Sequence, residues 1–464
     1  MSQLVKEGVF KTLVKMAVPM LAGTFAINAY NLTDTWFVSR LGTDSLAAMT
    51  FGFPVIMLLS FIIRGMGTGA MTVVARALGG RKQGAAARLT THAISLVFIV
   101  SGIIASVGLA TITSLFSRLG AGGETLELTE QYMRIWYFGM PVMAVQIMLG
   151  DVIVGAGNTK AVSCLMVGGT LVNFVLDPVM IFGFWGFPRM GIAGAALATV
   201  LSQAAVLGGT FYVLHKKHRL ISFAPFSCRR IFVSWRRILY IGLPSVFSSI
   251  LIPISTAVVI TLVSRFGNAA IAACGVATRI EMFAFMIPMT VGMSLVPFVA
   301  QNFGANRFDR IRAARQGTMF FALIFGLAMG GLFFALARPL AGLFSPDRAV
   351  IKVLVQYIGI TCFGYGFLEV HRYSGFCLTG IHQPVDSAIL NSIRVVLLLI
   401  PLSFAGAQFF GLKGIFWARL VTDIVSGVTG IIWTGKVLAA PRGAAGGLDF
   451  KALGRRFEKN RQRT

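Results

Sequence analysis

Acidic residues are scarce in this sequence, and so is charge in general. Of its 464 residues only 16 are Asp or Glu, and 12% are charged against 56% hydrophobic. Soluble globular domains carry about a quarter charged residues. A chain this apolar, with a mean hydropathy of +0.80, has too little polar surface to stay dissolved in water. A soluble enzyme or a soluble binding module is therefore excluded, and a membrane protein is favoured.

Sequence motifs for metal, redox or nucleotide chemistry are also missing. The five cysteines are never spaced as CxxC, so neither a disulfide framework nor a zinc site is indicated. No GxxxxGK[ST] run and no HExxH run occurs, which excludes a P-loop ATP motor and a zinc hydrolase of that type. We predict that the chain is not an enzyme and holds no resident cofactor.

Long apolar stretches are what the sequence has instead. A helix needs about 20 apolar residues to cross the hydrocarbon layer. Twelve stretches are long enough, and they lack the strict alternation of β-barrel strands. They lie near 13–38, 46–75, 89–115, 130–154, 161–184, 191–214, 238–264, 270–300, 317–343, 350–377, 386–408 and 411–438. The sequence therefore predicts an all-α membrane protein with twelve transmembrane helices.

Basic residues outnumber acidic ones, 41 to 16, and they concentrate in the loops on one side. The stretch 215–237 alone holds Lys216, Lys217, Arg219, Arg229, Arg230, Arg236 and Arg237. Short loops rich in Lys and Arg stay in the cytoplasm. We therefore expect a multi-pass protein of the cytoplasmic (inner) membrane with both termini inside. Its basic tail is expected to lie against anionic lipid rather than to bind nucleic acid.

The two halves of the sequence resemble each other. Residues 13–88 align with residues 238–313 at a constant shift of 225 without a gap, and GIAGAALA at 191 aligns with GLKGIFWA at 411. The period covers six helices, an even number, so both halves enter the membrane from the same side. Duplicated bundles of this kind are typical of transporters. We predict an N-terminal six-helix bundle over 1–214, a basic cytoplasmic linker over 215–237, a C-terminal six-helix bundle over 238–438 and a basic cytoplasmic tail over 439–464.

Two carboxylates lie inside predicted spans of the first half, where a charge costs free energy and usually has a function. Asp34 follows Tyr30 by four residues, and Asp177 follows Asn173 by four, so each pair shares one helix face. Both acids lie at about the same depth, and Pro178 leaves the carbonyl of Phe174 without its usual donor. This oxygen-rich pocket suits a small cation such as Na⁺, bound by Asp34, Asn173 and Asp177, or a proton shared between two acids. A purely structural role for both acids stays open.

The second half lacks this pair, since Val259 stands where Asp34 does. Its own intramembrane acids are Glu281, Glu369 and Asp423. Asp423 follows Arg419 at i+4, which favours a structural ion pair. Glu281 lies close to Arg279 and favours a structural role too, while Glu369 is a secondary candidate for a second proton or cation site. Pro19 is a candidate hinge, since bending helix 1 there would move Asp34.

Several runs together resemble the multidrug and toxic compound extrusion (MATE) family. They are DTWFVSRLG, VVARALGGRK, FVAQNFGANR, VGAGNTK, NFVLDPVMIFG and GIAGAALATVLSQ. The resemblance covers nearly the whole chain, and it implies a V-shaped pair of six-helix bundles that export cationic, lipophilic drugs in exchange for Na⁺ or H⁺. It is closest in pattern to a prokaryotic branch that keeps its acids in the first half, whose coupling site matches Tyr30, Asp34, Asn173, Asp177 and Thr199. A branch that also uses an acid in helix 7 does not match, because 248–259 is uncharged.

We therefore expect a secondary antiporter with alternating access, a monomer that exports small organic cations and is driven by Na⁺ or H⁺. A flippase for lipids or lipid-linked sugars is the alternative, and it would have a more cationic cavity, to which only Arg64 and Arg279 point. An intramembrane enzyme or sensor would need a catalytic constellation that the sequence does not show. A channel is disfavoured by the duplicated design.

Overall fold

The structure, a computed structural model, describes residues 3–222 and 227–439, and within them every regular element is helical. A short helix, Gln3–Lys6, precedes the first long one. Six long helices follow: α1 (Val9–Ser39), α2 (Thr43–Gly79), α3 (Gln83–Arg118), α4 (Gly123–Gly155), α5 (Thr159–Phe182) and α6 (Gly191–Lys217). Each is long and apolar enough to cross a membrane.

The second series of helices is less regular than the first. It consists of α7 (Cys228–Ser264), α8a (Asn268–Ala284), α8b (Met286–Gly304), α9 (Phe308–Phe344) and α10 (Arg348–Gly380), and then the long stretch Pro384–Ala439. Pro288 cannot donate to the carbonyl of Ala284, which explains why the helix breaks between α8a and α8b. The stretch Pro384–Ala439 divides at Gly411, whose φ of 62° and ψ of −146° only glycine adopts easily. We name its parts α11 (384–410) and α12 (412–439), so the predicted twelve-helix fold is confirmed.

Backbone conformation repeats along the chain as the sequence alignment predicts. At the shift of 225, residues with positive φ recur in three pairs. A fourth pair follows the alignment of 191 with 411. The pairs are Gly42 and Gly267 (118° and 94°), Arg81 and Asn306 (59° and 58°), Gly157 and His382 (87° and 66°), and Gly191 and Gly411 (56° and 62°). Equivalent turns therefore join equivalent helices in the two halves.

Contacts group the chain into two compact units. Unit 1 contains Met1–Ile254 and Arg279–Arg307, and unit 2 contains Ser255–Thr278 and Phe308–Thr464. Unit 1 thus includes α8b, which belongs to the second half in sequence. The boundary predicted at 215–237 concerns the sequence halves and stays a prediction. The predicted tail lies outside the described residues from 440 onward.

Within unit 1, α8b packs against α2 through a reciprocal glycine contact. A Cβ added at Gly79 would collide with the carbonyl of Gln301, and one added at Gly304 would collide with the carbonyl of Arg76. Arg76 and Gln301 are themselves 225 residues apart in the repeat, so the crossing has a local pseudo-two-fold arrangement. The Gln301 amide also donates to the carbonyl of Gly155 at 2.7 Å, which ties α8b to the end of α4.

Candidate functional site

The candidate site lies within unit 1, where four helices converge. The helix α1 packs along α5, and α6 packs against both α4 and α5. Small residues on α6 allow the close approach, since Gly194 fits against the backbone of Met180 on α5. This packing brings polar side chains that are far apart in the sequence, the first at residue 30 and the last at residue 199, into one buried cluster.

Asp177 is the most enclosed member of the cluster. Its side chain is fully buried and accepts a hydrogen bond from the Asn173 amide at 3.0 Å, Nδ2 to Oδ1. The two residues are four apart on α5, so the face sharing predicted from the sequence is confirmed. The second carboxylate oxygen of Asp177, Oδ2, is buried with no hydrogen-bond partner among the described residues. Pro178 lies inside the continuous helix α5.

Asp34 faces the same region from α1. It is 5% exposed, and its Oδ1 atom is likewise buried with no hydrogen-bond partner in the part of the chain that the structure describes. Asp34 and Asp177 lie close enough for the charge of one to act on the other. No Lys or Arg among residues 3–222 and 227–439 forms an ion pair with either carboxylate.

Tyr30 and Thr199 close one side of the cluster. The Tyr30 hydroxyl and the Thr199 hydroxyl lie 2.8 Å apart and share a hydrogen bond that joins α1 to α6. Tyr30 also lies near both Asp34 and Asp177. All five residues suggested for the site are therefore neighbours, including Thr199, which only the family resemblance suggested.

Tyr132 on α4 is a member that the sequence analysis missed. It is 4% exposed and lies near Asp34, Asp177 and Tyr30. No sequence signal distinguishes it. It lies about a hundred residues from Asp34, in a span with other aromatic residues, and an aromatic residue in such a span usually serves packing. Its phenol adds a further neutral oxygen to the cluster.

This arrangement is suited to hold a positive charge. Two buried carboxylates near each other repel when both are ionised, and their unpartnered oxygens cost free energy. A proton or a monovalent cation relieves both costs, and the neutral oxygens of Asn173, Tyr30 and Thr199 can complete its coordination. Among the described residues no group of three or more His, Cys, Asp or Glu side chains could hold a metal ion. The chemistry of the cluster therefore suits a proton or a small cation.

The other suggested residues lie elsewhere. Pro19 lies inside the continuous helix α1, so its role as a hinge stays a prediction. Glu281 is a buried residue of α8a. Glu369 on α10 belongs to unit 2, where Arg372 donates to its carboxylate at 2.7 Å.

Asp423 on α12 is paired more closely than the sequence predicted. The Arg419 Nε atom lies 3.8 Å from Asp423, as the i+4 spacing indicated, but Arg394 on α11 approaches to 2.7 Å. The sequence analysis missed Arg394, because hydropathy does not show which face of α11 meets α12.

Comparison with known proteins agrees with this architecture. The sequence model of the MatE family matches residues 19–179 and again residues 244–405. The two matches begin at the same shift as the internal repeat, and together they cover more than half of the chain. The chain belongs to the MatE family. It is accordingly a multi-pass membrane transporter and not an enzyme.

Relatives of known name include a FAD transporter of Shewanella oneidensis. It is 34% identical over 418 residues, which are 90% of this chain and 92% of the relative. The multidrug export protein MepA of Staphylococcus aureus is 26% identical over 424 residues, 90% of this chain and 92% of the relative. Among solved structures, the Vibrio cholerae MATE transporter VcmN in its bent form superimposes with a TM-score of 0.87 at 26% identity. The superposition includes 93% of this chain and 97% of the VcmN chain.

Proposed function

We propose that this MATE transporter is a secondary antiporter that exports cationic, lipophilic compounds in exchange for Na⁺ or H⁺ at the Asp34–Asp177 cluster. One observation carries the proposal: two buried carboxylates, without any cationic side chain in the described residues to neutralise them, share a pocket of neutral oxygens. In this account Asp34 and Asp177 bind the coupling ion, Asn173 orients Asp177, and Tyr30 and Thr199 complete the coordination.

The exchange requires that ion and solute bind the alternate conformations of the transporter differently. Ion binding removes the repulsion between the two carboxylates and so favours the conformation in which they lie together. By linkage, a solute that binds better to the other conformation is released when the ion enters. Pro19 on α1 is the proposed hinge, since a bend there changes the position of Asp34.

The distribution of Lys and Arg supports a location in the cytoplasmic membrane with both ends of the chain inside. The protein is proposed to act as a monomer, because the coupling cluster is built within one chain. The tail from 440 onward is proposed to contact anionic lipid.

A second candidate substrate is a FAD-like dinucleotide, which is anionic. The 34% identity to a FAD transporter over most of both chains favours it. The distribution of charge in unit 2 favours it as well, since arginines outnumber acids around Glu369 and Asp423. Ion coupling through Asp34 and Asp177 is the same for either substrate.

Transport into liposomes tests both the coupling and the substrate. The purified chain is reconstituted, and uptake of ethidium, a lipophilic cation, and of FAD is measured with either H⁺ or Na⁺ more concentrated inside. Ethidium accumulation under one of these gradients supports the proposal. Accumulation of FAD alone supports the second candidate, and absence of gradient-driven uptake of both solutes would contradict the antiport.

A further inference from the structure

A cluster of charged side chains in unit 2 is not used by the coupling site. Three helices contribute to it: α10 supplies Glu369 and Arg372, α11 supplies Arg394, and α12 supplies Arg419 and Asp423. Arg372 and Arg394 each reach a carboxylate oxygen at 2.7 Å, and Arg419 lies 3.8 Å from Asp423. The Arg419 guanidinium also donates to the Tyr357 hydroxyl and lies 5.4 Å from its ring centroid.

Charge in this cluster does not cancel. Three guanidinium groups face two carboxylates. The buried His371 lies close to two of these arginines. Its Nε2 atom is 3.5 Å from a neutral amide, that of Asn391. An excess positive charge inside membrane spans is costly unless an opposite charge joins it.

The arginine side chains of the cluster are more exposed than its carboxylates. Both carboxylates have 1% of their side-chain surface exposed, whereas Arg372 has 38%, Arg419 24% and Arg394 16%. The guanidinium groups are therefore the accessible part of the cluster, and the carboxylates that pair with them are its buried part.

Buried polar atoms in the cluster still lack partners. The Nε–H of Arg394 has no hydrogen-bond partner in the described residues. A buried guanidinium donor without an acceptor costs free energy, and an oxygen of a bound anion removes that cost. Glu369 Oε2 is unpartnered as well, so the carboxylate has capacity to hold a second donor.

Backbone geometry at Arg394 also departs from the ordinary helix. Residues Ile393–Leu399 form a π-helical segment within α11. Such segments are rare and frequently mark functional sites. Arg394 lies in this segment, and its guanidinium group reaches Asp423 on α12.

We propose that Arg372, Arg394 and Arg419 form the site that binds the phosphate groups of an anionic nucleotide substrate, with Glu369 and Asp423 as the residues that position them. The planar guanidinium group binds phosphate through two parallel hydrogen bonds, and several such groups suit a diphosphate. The inference rests on the second candidate substrate above. It assigns the arginines to substrate recognition and leaves the coupling ion with Asp34 and Asp177.

A binding measurement without any ion gradient tests the site. The full chain is placed in nanodiscs of neutral lipid, and binding of FAD and of riboflavin, which shares the flavin ring but has no phosphate, is followed by flavin fluorescence. We expect FAD to bind at least tenfold more tightly than riboflavin. Arg372→Gln and Arg394→Gln should each weaken FAD binding about tenfold, the loss expected for one charge-assisted contact, and leave riboflavin unchanged.

Two controls keep the result interpretable. The double variant Arg372→Gln with Glu369→Gln removes the charge without leaving an unpaired buried carboxylate, so it distinguishes loss of the site from misfolding. Arg118→Gln removes an exposed arginine from α3 in unit 1 and should bind FAD as the unmodified protein does. Equal losses in Arg118→Gln would contradict a specific site.

The outcomes separate this inference from the proposed antiport. FAD binding that the arginine variants do not change overturns the site but leaves FAD as a substrate candidate. Absence of FAD binding overturns both the site and that candidate, while ethidium transport still tests the antiport. Displacement of FAD by added phosphatidylglycerol, together with equal binding of FAD and riboflavin, would assign the arginines to a lipid headgroup and overturn the proposal.

Discussion

The two halves of this transporter share equivalent turns between their helices and carry opposite chemistry in their interiors. In the first half, Asp34 and Asp177 are buried with no cationic partner among the described residues. In the second half, every buried acid of α10 and α12 has an arginine within 4 Å. At the repeat shift of 225, Val259 stands where Asp34 does, and Ala144 and Ile147 stand where Glu369 and Arg372 do.

The difference supports our proposal that the first half exchanges the cation. A carboxylate held by an arginine has its charge already neutralised and gains little from a proton or Na⁺. The uncompensated pair of carboxylates in the first half is stabilised much more by a bound proton or Na⁺. Duplication thus supplies a shared scaffold, and substitution within it separates ion binding from the arginine cluster that we assign to anion binding.

The largest expected effect removes the uncompensated charge of the first half. Asp34→Asn leaves the shape of the side chain nearly unchanged but leaves one carboxylate to hold the coupling ion. We expect ion-driven transport to fall by about a hundredfold or more, because the site loses a direct electrostatic partner of the ion. Uptake into liposomes measures it, with Glu127→Gln, which removes an exposed carboxylate, as the matched control. Equal rates in the two variants would contradict the assignment.

The next effect tests the neutralised acid of the second half. Asp423→Asn leaves Arg394, whose side chain is 16% exposed, without its carboxylate partner. Removal of one partner of a largely buried pair costs about 3–5 kcal/mol of stability. Thermal unfolding of the purified protein measures the loss. The double variant Asp423→Leu with Arg394→Met should recover most of it, since apolar pairs of similar volume replace buried ion pairs at little cost. No difference between the single and double variants would show that the pair is solvated.

A smaller effect tests a feature that the two halves share. Because the contact of Gly79 with Gln301 mirrors that of Gly304 with Arg76, Gly79→Ala and Gly304→Ala should destabilise the protein by similar amounts, about 1–3 kcal/mol each. Gly102→Ala on α3 meets nothing within 4 Å and should be neutral or slightly stabilising. A neutral result at Gly79 or Gly304 would mean that α2 and α8b separate without cost.

The smallest effect concerns the hydrogen bond between Tyr30 and Thr199. Thr199→Ala removes one neutral hydrogen bond near the ion, worth about 1 kcal/mol, so transport at low ion concentration should fall about fivefold. Thr199→Ser keeps the hydroxyl and should restore it. If the serine and alanine variants transport equally, the hydroxyl takes no part in coordination.

Much of this architecture follows from the sequence alone. Hydropathy gives the twelve spans, and the constant shift of 225 gives the turns at Gly42 and Gly267. The i+4 spacing predicts that Asn173 and Asp177 share a face, which their hydrogen bond confirms. These features depend on residues close together in the chain or on a repeated pattern.

Contacts between distant helices do not follow in this way. Tyr132 joins Asp34 and Asp177, and Arg394 joins Asp423, through the rotation of helices about their axes. In a span that is apolar on most sides, hydropathy does not fix that rotation. The kink between α8a and α8b, which lets α8b pack with first-half helices, likewise depends on tertiary packing as well as on Pro288.

The central claim is that Asp34 and Asp177 exchange a cation for solute. Its most direct test records the ion itself: liposomes loaded with a pH or Na⁺ indicator report ion efflux when the transported solute is added outside. We predict solute-evoked efflux of one of these ions in the unmodified protein and in Glu127→Gln, and none in Asp34→Asn. Efflux at the unmodified rate in Asp34→Asn would contradict the claim.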